Sequence, residues 1–390
     1  MEIHDSIIFA IFIIYGSAAL MATLALFTRQ SLLVAYMILG AVIGPYGLKL
    51  VGNFELIKQT GDVGIIFLLF LLGLNLPPKK LWDMFGETSW VTFISSAVLA
   101  VISFLIMLPF GYSITTCVVI AAAMMFSSTI IALKLLPTTV LHHRRTGEVV
   151  ISILLLQDII AILVLILIHL VGMGHLNFPD IALTAVALPL LFSFAYLMQR
   201  FVLIKLFKRF GKVREYIFLV AIGWCLLMAV LAESMGLSGE IGAFMGGVAI
   251  AVHPISQYIA ESLKPLRDFF LVLFFFSIGA HFNYLILPHI ILPAAVLAIA
   301  MLILKPLVYR FLLRKMSETS SSAWEVGFRL GQISEFALLI VYLAENMNLI
   351  NHATSDMVQA AAIITFIVSS YFVVIRYPTP LSFSSKLRRD

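Results

Sequence analysis

Charge and cysteine are what this chain has least of. Of its 390 residues only 12% are Asp, Glu, Lys or Arg, and Cys occurs twice. Cys117 and Cys225 each stand inside an apolar run. Two such thiols make neither a disulfide framework nor a zinc site, and they read as small core residues. So little charge beside 62% hydrophobic residues excludes a disordered chain and an ordinary soluble domain. No aromatic-laced basic patch offers bases a stacking surface, so the net charge of +5 is not a nucleic-acid footprint. The opening "MEIHDS" has no Lys or Arg ahead of its apolar run. It is no signal-peptide leader, and the first helix is expected to stay in the mature protein.

What the chain does have is long, unbroken apolar runs. They suit helices of roughly 20 residues crossing a bilayer, not barrel strands of about 10 alternating residues. The expected fold class is an all-α polytopic membrane protein. Its spans fall at about 5–26, 31–50, 61–76, 88–109, 115–137, 149–172, 181–199, 215–235, 238–252, 266–286, 290–314, 323–346 and 356–376. Breaks carry turn residues or charge: Pro77-Pro78, Gly111, "HHRRTGE" (142–148), "KRFGKVRE" (208–215) and "RKMSETSSS" (314–322).

Thirteen spans put the termini on opposite sides. With the N-terminus outside, every Lys and Arg except Lys49, Lys58 and Lys305 falls in a cytoplasmic loop or at an inner helix end. The positive-inside rule therefore predicts a multi-pass cell-membrane protein with a cytoplasmic C-terminus. The spans divide as six (about 5–172), a linker helix (about 181–199) and six (about 215–376). An odd linker inverts the second six, the layout of inverted-repeat transporters. Span five then corresponds to span twelve. Residues 377–390 read as a short basic tail, with no soluble regulatory domain.

Three ionisable groups stand deep in apolar spans: Asp158 in span six, Lys305 in span eleven and Glu335 in span twelve. A charge in hydrocarbon costs at least ~2.5–3.5 kcal/mol, so each needs a reason. Counted from the inner ends, they lie about nine, nine and twelve residues up, or roughly 14–17 Å. One shared depth makes them a site. Ser127, Ser128 and Thr129 in span five reach the same depth, and adjacent hydroxyls loosen a helix by bonding its carbonyls. A break there, and a matching one at Gly327, Gly331, Gln332 and Ser334 in span twelve, would give crossed broken helices that line a cavity.

The ligand types point to a hard monovalent cation. A carboxylate (Asp158), an amide oxygen (Gln157), hydroxyls (Ser128, Thr129) and carbonyls are all hard oxygens, and neither a thiolate nor a His cluster joins them. Asp158 also binds a proton, and a group that holds either a proton or a cation is the minimum machinery for exchange. Lys305 has three readings: a partner of Asp158, a cap on the carbonyls of the broken helices, or a titrating group. Glu335, Ser127 and Gln332 support the site or satisfy backbone at the breaks. Hydroxyls in membranes also serve as glue between helices.

These residues resemble the monovalent cation:proton antiporter family, on the branch of glutathione-gated potassium efflux systems. The likeness covers essentially the whole chain. It is carried by "IIFLLFLLGLNL" (65–76), "FSSTIIALKLL" (126–136), "LLLQDIIAI" (154–162), "GLSGEIGAFMGGVAIA" (236–251), "LFFFSIGAHFN" (273–283), Lys305 and "LGQISEFALL" (330–339). The resemblance implies a six-helix core that moves against a scaffold, elevator-like alternating access and a homodimer. It gives Asp158 the role of ion and proton carrier. Gln157 stands where two-acid sodium exchangers have Asp, and Lys305 matches the lysine that pairs with that acid. Gln157 therefore implies potassium and a one-for-one, electroneutral swap, with sodium for proton as the alternative. Two departures stand out: Asn75 replaces the acid of the family's "GLEL" stretch, and no nucleotide-binding domain follows the last helix. Regulation by nucleotide or glutathione does not carry over.

The remaining features have plainer readings. Gly242, Gly246 and Gly247 suit close helix contact, and Glu240 an outer funnel charge. His142, His143, Arg144 and Arg145 form an inner positive loop, or a cytoplasmic pH sensor. A gated channel lacks a repeated carbonyl filter here, and an organic-anion symporter would rest on Lys305 alone. No catalytic residue, no cofactor and no enzyme activity are expected; the partners are the bilayer, K+ or Na+, and H+.

Overall fold

The computed structural model describes residues 7–28, 30–50, 54–75, 88–136, 145–172, 178–211 and 213–379. The opening "MEIHDS", the Pro77-Pro78 break, the loop residues His142, His143 and Arg144, and the tail beyond Thr379 lie outside the described residues. Within them every regular segment is helical. The α-helices are α1 (Ile7–Phe27), α2 (Leu32–Ile43), α3 (Phe54–Leu74), α4 (Ser89–Met107), α5 (Ile114–Met124), α6 (Thr129–Lys134), α7 (Arg145–Gly172) and α8 (Phe178–Met198). They continue as α9 (Ile204–Phe210), α10 (Arg214–Ser234), α11 (Gly239–Ala251), α12 (Ile255–His281), α13 (Leu287–Lys315), α14 (Ser320–Arg329), α15 (Glu335–Asn346) and α16 (His352–Arg376). Among the described residues, eight stretches are helical, long and apolar enough to cross a membrane, and three shorter apolar helices accompany them. The protein is a multi-pass, all-helical membrane protein.

The boundaries depart from expectation where charge was taken for a stop. Helix α12 begins at Ile255, well ahead of the expected 266. The stretch "SQYIAESLKPLRD" is too polar to be a span but contains good helix formers. For the same reason the linker helix does not end near Arg200. A π-helical turn, Gln199–Leu203, carries it into α9, and the helix stops only at Gly211. Conversely, α2 ends at Ile43, not 50, because Gly44-Pro45 turns the chain. The Leu48 N–H then folds back onto the Val42 carbonyl at 2.7 Å.

The expected interruptions are both present. Span five is split into α5 and α6 by residues 125–128, and span twelve into α14 and α15 by residues 330–334. Each outgoing half starts with a serine cap: Ser128 Oγ accepts the Ile131 N–H at 3.1 Å, and Ser334 Oγ accepts the Phe336 N–H at 3.1 Å.

The chain divides into two compact units. The first holds residues 1–16, 42–83 and 169–281, and the second residues 17–41, 84–168 and 282–390. In the first unit α3, α10 and α11 pack backbone to backbone. A Cβ on Gly247 would come within 2.2 Å of the Phe70 carbonyl, and one on Gly242 within 2.2 Å of the Met228 carbonyl. These glycines are there for close approach. In the second unit Val91, Ala132, Val150, Ile153, Tyr309, Leu313, Val326 and Leu330 form a buried apolar core around the broken helices. A Cβ on Gly327 would sit 2.8 Å from the Pro306 carbonyl, so α14 lies against α13 beside Lys305.

Candidate functional site

A broken helix strands backbone groups, and in an apolar interior each must find a partner. At the first break Gln157 of α7 supplies them. Its Oε1 accepts the Ser127 N–H at 3.1 Å, and its Nε2 donates to the Met125 carbonyl at 3.3 Å and to the Tyr309 hydroxyl at 2.7 Å. Gln157, expected to offer its oxygen to an ion, uses that oxygen here to accept a backbone N–H. Both ends of the amide serve the break.

The second break is satisfied similarly. The Ile333 N–H donates to Thr365 Oγ1 at 3.1 Å, and Ser369 Oγ donates to Gln332 Oε1 at 3.0 Å. The two breaks are also bonded to each other. Ser127 Oγ donates to the Leu330 carbonyl at 2.7 Å, and Gln332 Nε2 donates to the Ser128 carbonyl at 3.3 Å.

Lys305 fastens the pair from α13. Its fully buried ammonium donates to the Phe126 carbonyl, to the Gln332 carbonyl at 2.9 Å and to Ser127 Oγ at 3.5 Å. One carbonyl comes from each break. Of the three readings of Lys305, the geometry is that of the cap; its bonds go to carbonyls and a hydroxyl, not to Asp158. An ammonium needs three acceptors when water is absent, and two interrupted helices provide them.

The carboxylates meet on the next turn. Asp158 follows Gln157 on α7, and its two oxygens lie 3.2 and 3.5 Å from Thr129 Oγ1, which donates to them. Glu335 opens α15, and its Oε1 accepts the Ile130 N–H at 3.2 Å. Both side chains are buried, and they hold consecutive residues of the first turn of α6. Two carboxylates and one ammonium leave the cluster one negative charge when all are ionised. Its uncommitted capacity is oxygen: carboxylate from Asp158 and Glu335, and hydroxyl from Thr129. Such a set accepts a proton or a hard cation. The Ser128 hydroxyl accepts the Ile131 N–H and donates to the Glu335 carboxylate, and the Ser128 carbonyl accepts from Gln332.

Residues 15–375 match the sodium/hydrogen exchanger, transmembrane, family. The chain belongs to that family. It is 30% identical over 337 residues to K(+) efflux antiporter 4 of Arabidopsis thaliana, a match that covers 82% of this chain and 55% of that one. It is 27% identical over 369 residues to the glutathione-regulated potassium-efflux system protein KefC of Escherichia coli O6:K15:H31, covering 92% and 59%. The chain thus spans little more than half the length of these relatives. Its fold is that of the sodium proton antiporter MjNhaP1 from Methanocaldococcus jannaschii, with a TM-score of 0.69, 14% identity and coverage of 94% and 99%.

Within this exchanger fold the structure brings Asp158, Gln157, Ser127, Ser128, Thr129, Lys305, Gln332 and Glu335 into one connected cluster. Sequence reasoning missed Tyr309, Thr365 and Ser369. Each left a signal: Tyr309 stands one turn after Lys305 on α13, and Thr365 and Ser369 stand one turn apart on α16, so each pair shares a helix face.

Proposed function

We propose that this member of the exchanger family swaps one monovalent cation, K+ ahead of Na+, for one proton at Asp158, with Thr129 as a second ligand. Lys305 holds the two breaks together, Glu335 holds α6, and Gln157 holds the residues that lead into it. The observation that carries this reading is that two buried carboxylates hold consecutive residues at the start of α6, in the same connected cluster as one buried ammonium, Lys305. A membrane-buried cluster with an uncompensated charge is costly to move through hydrocarbon. One cation or one proton removes that charge, and together they would overshoot it. The cluster therefore crosses loaded with one or the other, and each crossing carries the same net charge. Electroneutral, one-for-one exchange follows.

The relatives named for potassium efflux support K+. The neighbour named a sodium proton antiporter supports Na+ as the alternative, at a level of identity that speaks for the fold alone. Gln157 adds weight to K+ and to electroneutrality, because the residue directly before Asp158 on α7 is an amide and not a second acid. The reading includes an outside N-terminus and a cytoplasmic C-terminus, from the distribution of Lys and Arg. It also includes alternating access by two inverted repeats, and a homodimer.

The test is proton movement in sealed proteoliposomes, followed with an internal pH dye while K+, Na+, Li+ or choline is added. A K+-evoked proton flux, lost in Asp158→Asn and unaltered by valinomycin clamping, is the expected result. A response to Na+ alone moves the protein to the sodium reading, and full activity in Asp158→Asn removes the site.

A further inference from the structure

Arg329, the last residue of α14, is buried and belongs to no step above. Its Nε and Nη2 donate to Glu325 Oε1 at 3.0 and 2.8 Å. Nη1 donates to the Leu135 carbonyl at 2.9 Å, and Nη2 donates to the Pro378 carbonyl at 2.9 Å. Leu135 directly follows α6, and Pro378 lies in the extended stretch after α16. A single guanidinium thus joins the half-helix before the second break, the half-helix after the first, and the exit of the last helix.

The exit is itself anchored. The Tyr377 ring lies 5.8 Å from Arg329 Cζ and 6.2 Å from the Phe328 ring. Phe328 stacks on Phe372 at 4.3 Å and on Trp324 at 5.2 Å. Thr379 is fully buried. Residues 377–379 therefore form a seated strap.

We propose that Arg329 is a positioning residue of the exchange reaction: it holds the far end of α6 against the strap, so that the near end keeps Thr129 on Asp158 and the Ile130 N–H on Glu335. The inference rests on the functional reading above and deepens it. Helix α6 spans only Thr129–Lys134, too short to persist on its own hydrogen bonds. Its position is set by what grips its two ends. At the near end these are Ser128, Asp158 and Glu335, and at the far end the grip on the Leu135 carbonyl is Arg329. Only a planar fork of five donors bonds a carboxylate and two carbonyls in divergent directions at once. Pulling on the strap or loosening it then changes the geometry at Asp158 through a rigid link.

The experiment pairs exchange kinetics with deuterium uptake on purified full-length protein. Arg329→Gln is expected to raise the half-saturating K+ concentration roughly tenfold and to shift the pH profile. It should also speed deuterium uptake in peptides covering 129–135, with Arg329→Lys intermediate. Tyr377→Leu, which keeps Arg329 and most of the packing, should move uptake and K+ dependence the same way by a smaller factor; it stands in if Arg329→Gln does not fold. Wild-type K+ dependence and wild-type uptake in a folded Arg329→Gln or Tyr377→Leu protein overturn the proposal. Faster uptake with unchanged K+ dependence assigns Arg329 to folding alone and overturns it too. If the wild type exchanges nothing, the functional reading fails, and with it the positioning role.

Discussion

Gln157 accepts the Ser127 N–H at 3.1 Å while donating to the Met125 carbonyl at 3.3 Å, so one amide replaces the hydrogen bonds that the first broken helix gives up. A carboxylate at this position keeps the acceptor and loses the donor. Gln157→Asp should therefore leave the Met125 carbonyl bare and take from the Tyr309 hydroxyl one of its donors. It should lower stability by about 1–3 kcal/mol and add a second acid beside Asp158. Transport should become voltage-sensitive or turn toward Na+. Currents on a supported membrane under K+ and Na+ gradients check this; an unchanged, electrically silent K+ response would contradict it.

Thr129 gives the hydroxyl that reaches Asp158 at 3.2 Å. Thr129→Val keeps the shape and removes that donor. A hydrogen bond to a charged acceptor contributes about 1.5–3 kcal/mol, so the half-saturating K+ concentration should rise about tenfold or more while the protein folds normally. Saturation curves in proteoliposomes measure it. Thr129→Ser, which restores the hydroxyl, should recover most of the affinity.

Lys305 caps one carbonyl from each break. Lys305→Met fills the volume but leaves the Phe126 and Gln332 carbonyls bare, and it removes the ammonium from the cluster. The expected loss is about 3–5 kcal/mol, seen as a lower melting temperature in detergent along with loss of exchange. Lys305→Gln, which returns a donor but no charge, should recover part of the stability and none of the wild-type coupling. A Met variant as stable as the wild type would rule out the capping role.

Gly247 and Gly223 make a controlled pair in the first unit. A Cβ on Gly247 would meet the Phe70 carbonyl at 2.2 Å, whereas one on Gly223 meets nothing within 4 Å. Gly247→Ala should destabilise by about 1–3 kcal/mol through forced separation of α3 and α11. Gly223→Ala should be neutral or slightly stabilising. Thermal melts of the two variants side by side decide it.

Much of this was legible in the chain, because hydrocarbon leaves few ways to place a polar group. Asp158, Lys305 and Glu335 stood out against apolar neighbours, and the run Ser127-Ser128-Thr129 marked a break at the position where α5 gives way to α6. Partnership was less legible. Composition indicates that Gln157 and Lys305 need partners, but only folded geometry shows that both spend themselves on backbone carbonyls and N–H groups. Helix ends went astray at α12 and α9 because charge stops a span and does not stop a helix. Arg329 gave no signal at all, being one more basic residue near an expected inner helix end.

The linker between α5 and α6 comprises only residues 125–128, and its length is a constraint of its own. Inserting one residue there would upset the spacing by which Gln157 holds the Met125 carbonyl and the Ser127 N–H while α6 meets Asp158 and Glu335. Thr129 would swing away from Asp158, and Ile130 from Glu335, in a single step. Side chains within the linker could be exchanged one at a time with graded loss, while any change in the number of residues should be all or nothing. A library of single-residue insertions and deletions across 115–136 should accordingly retain function only outside the linker and its flanking turns, a pattern of tolerated length that substitution scanning would never reveal.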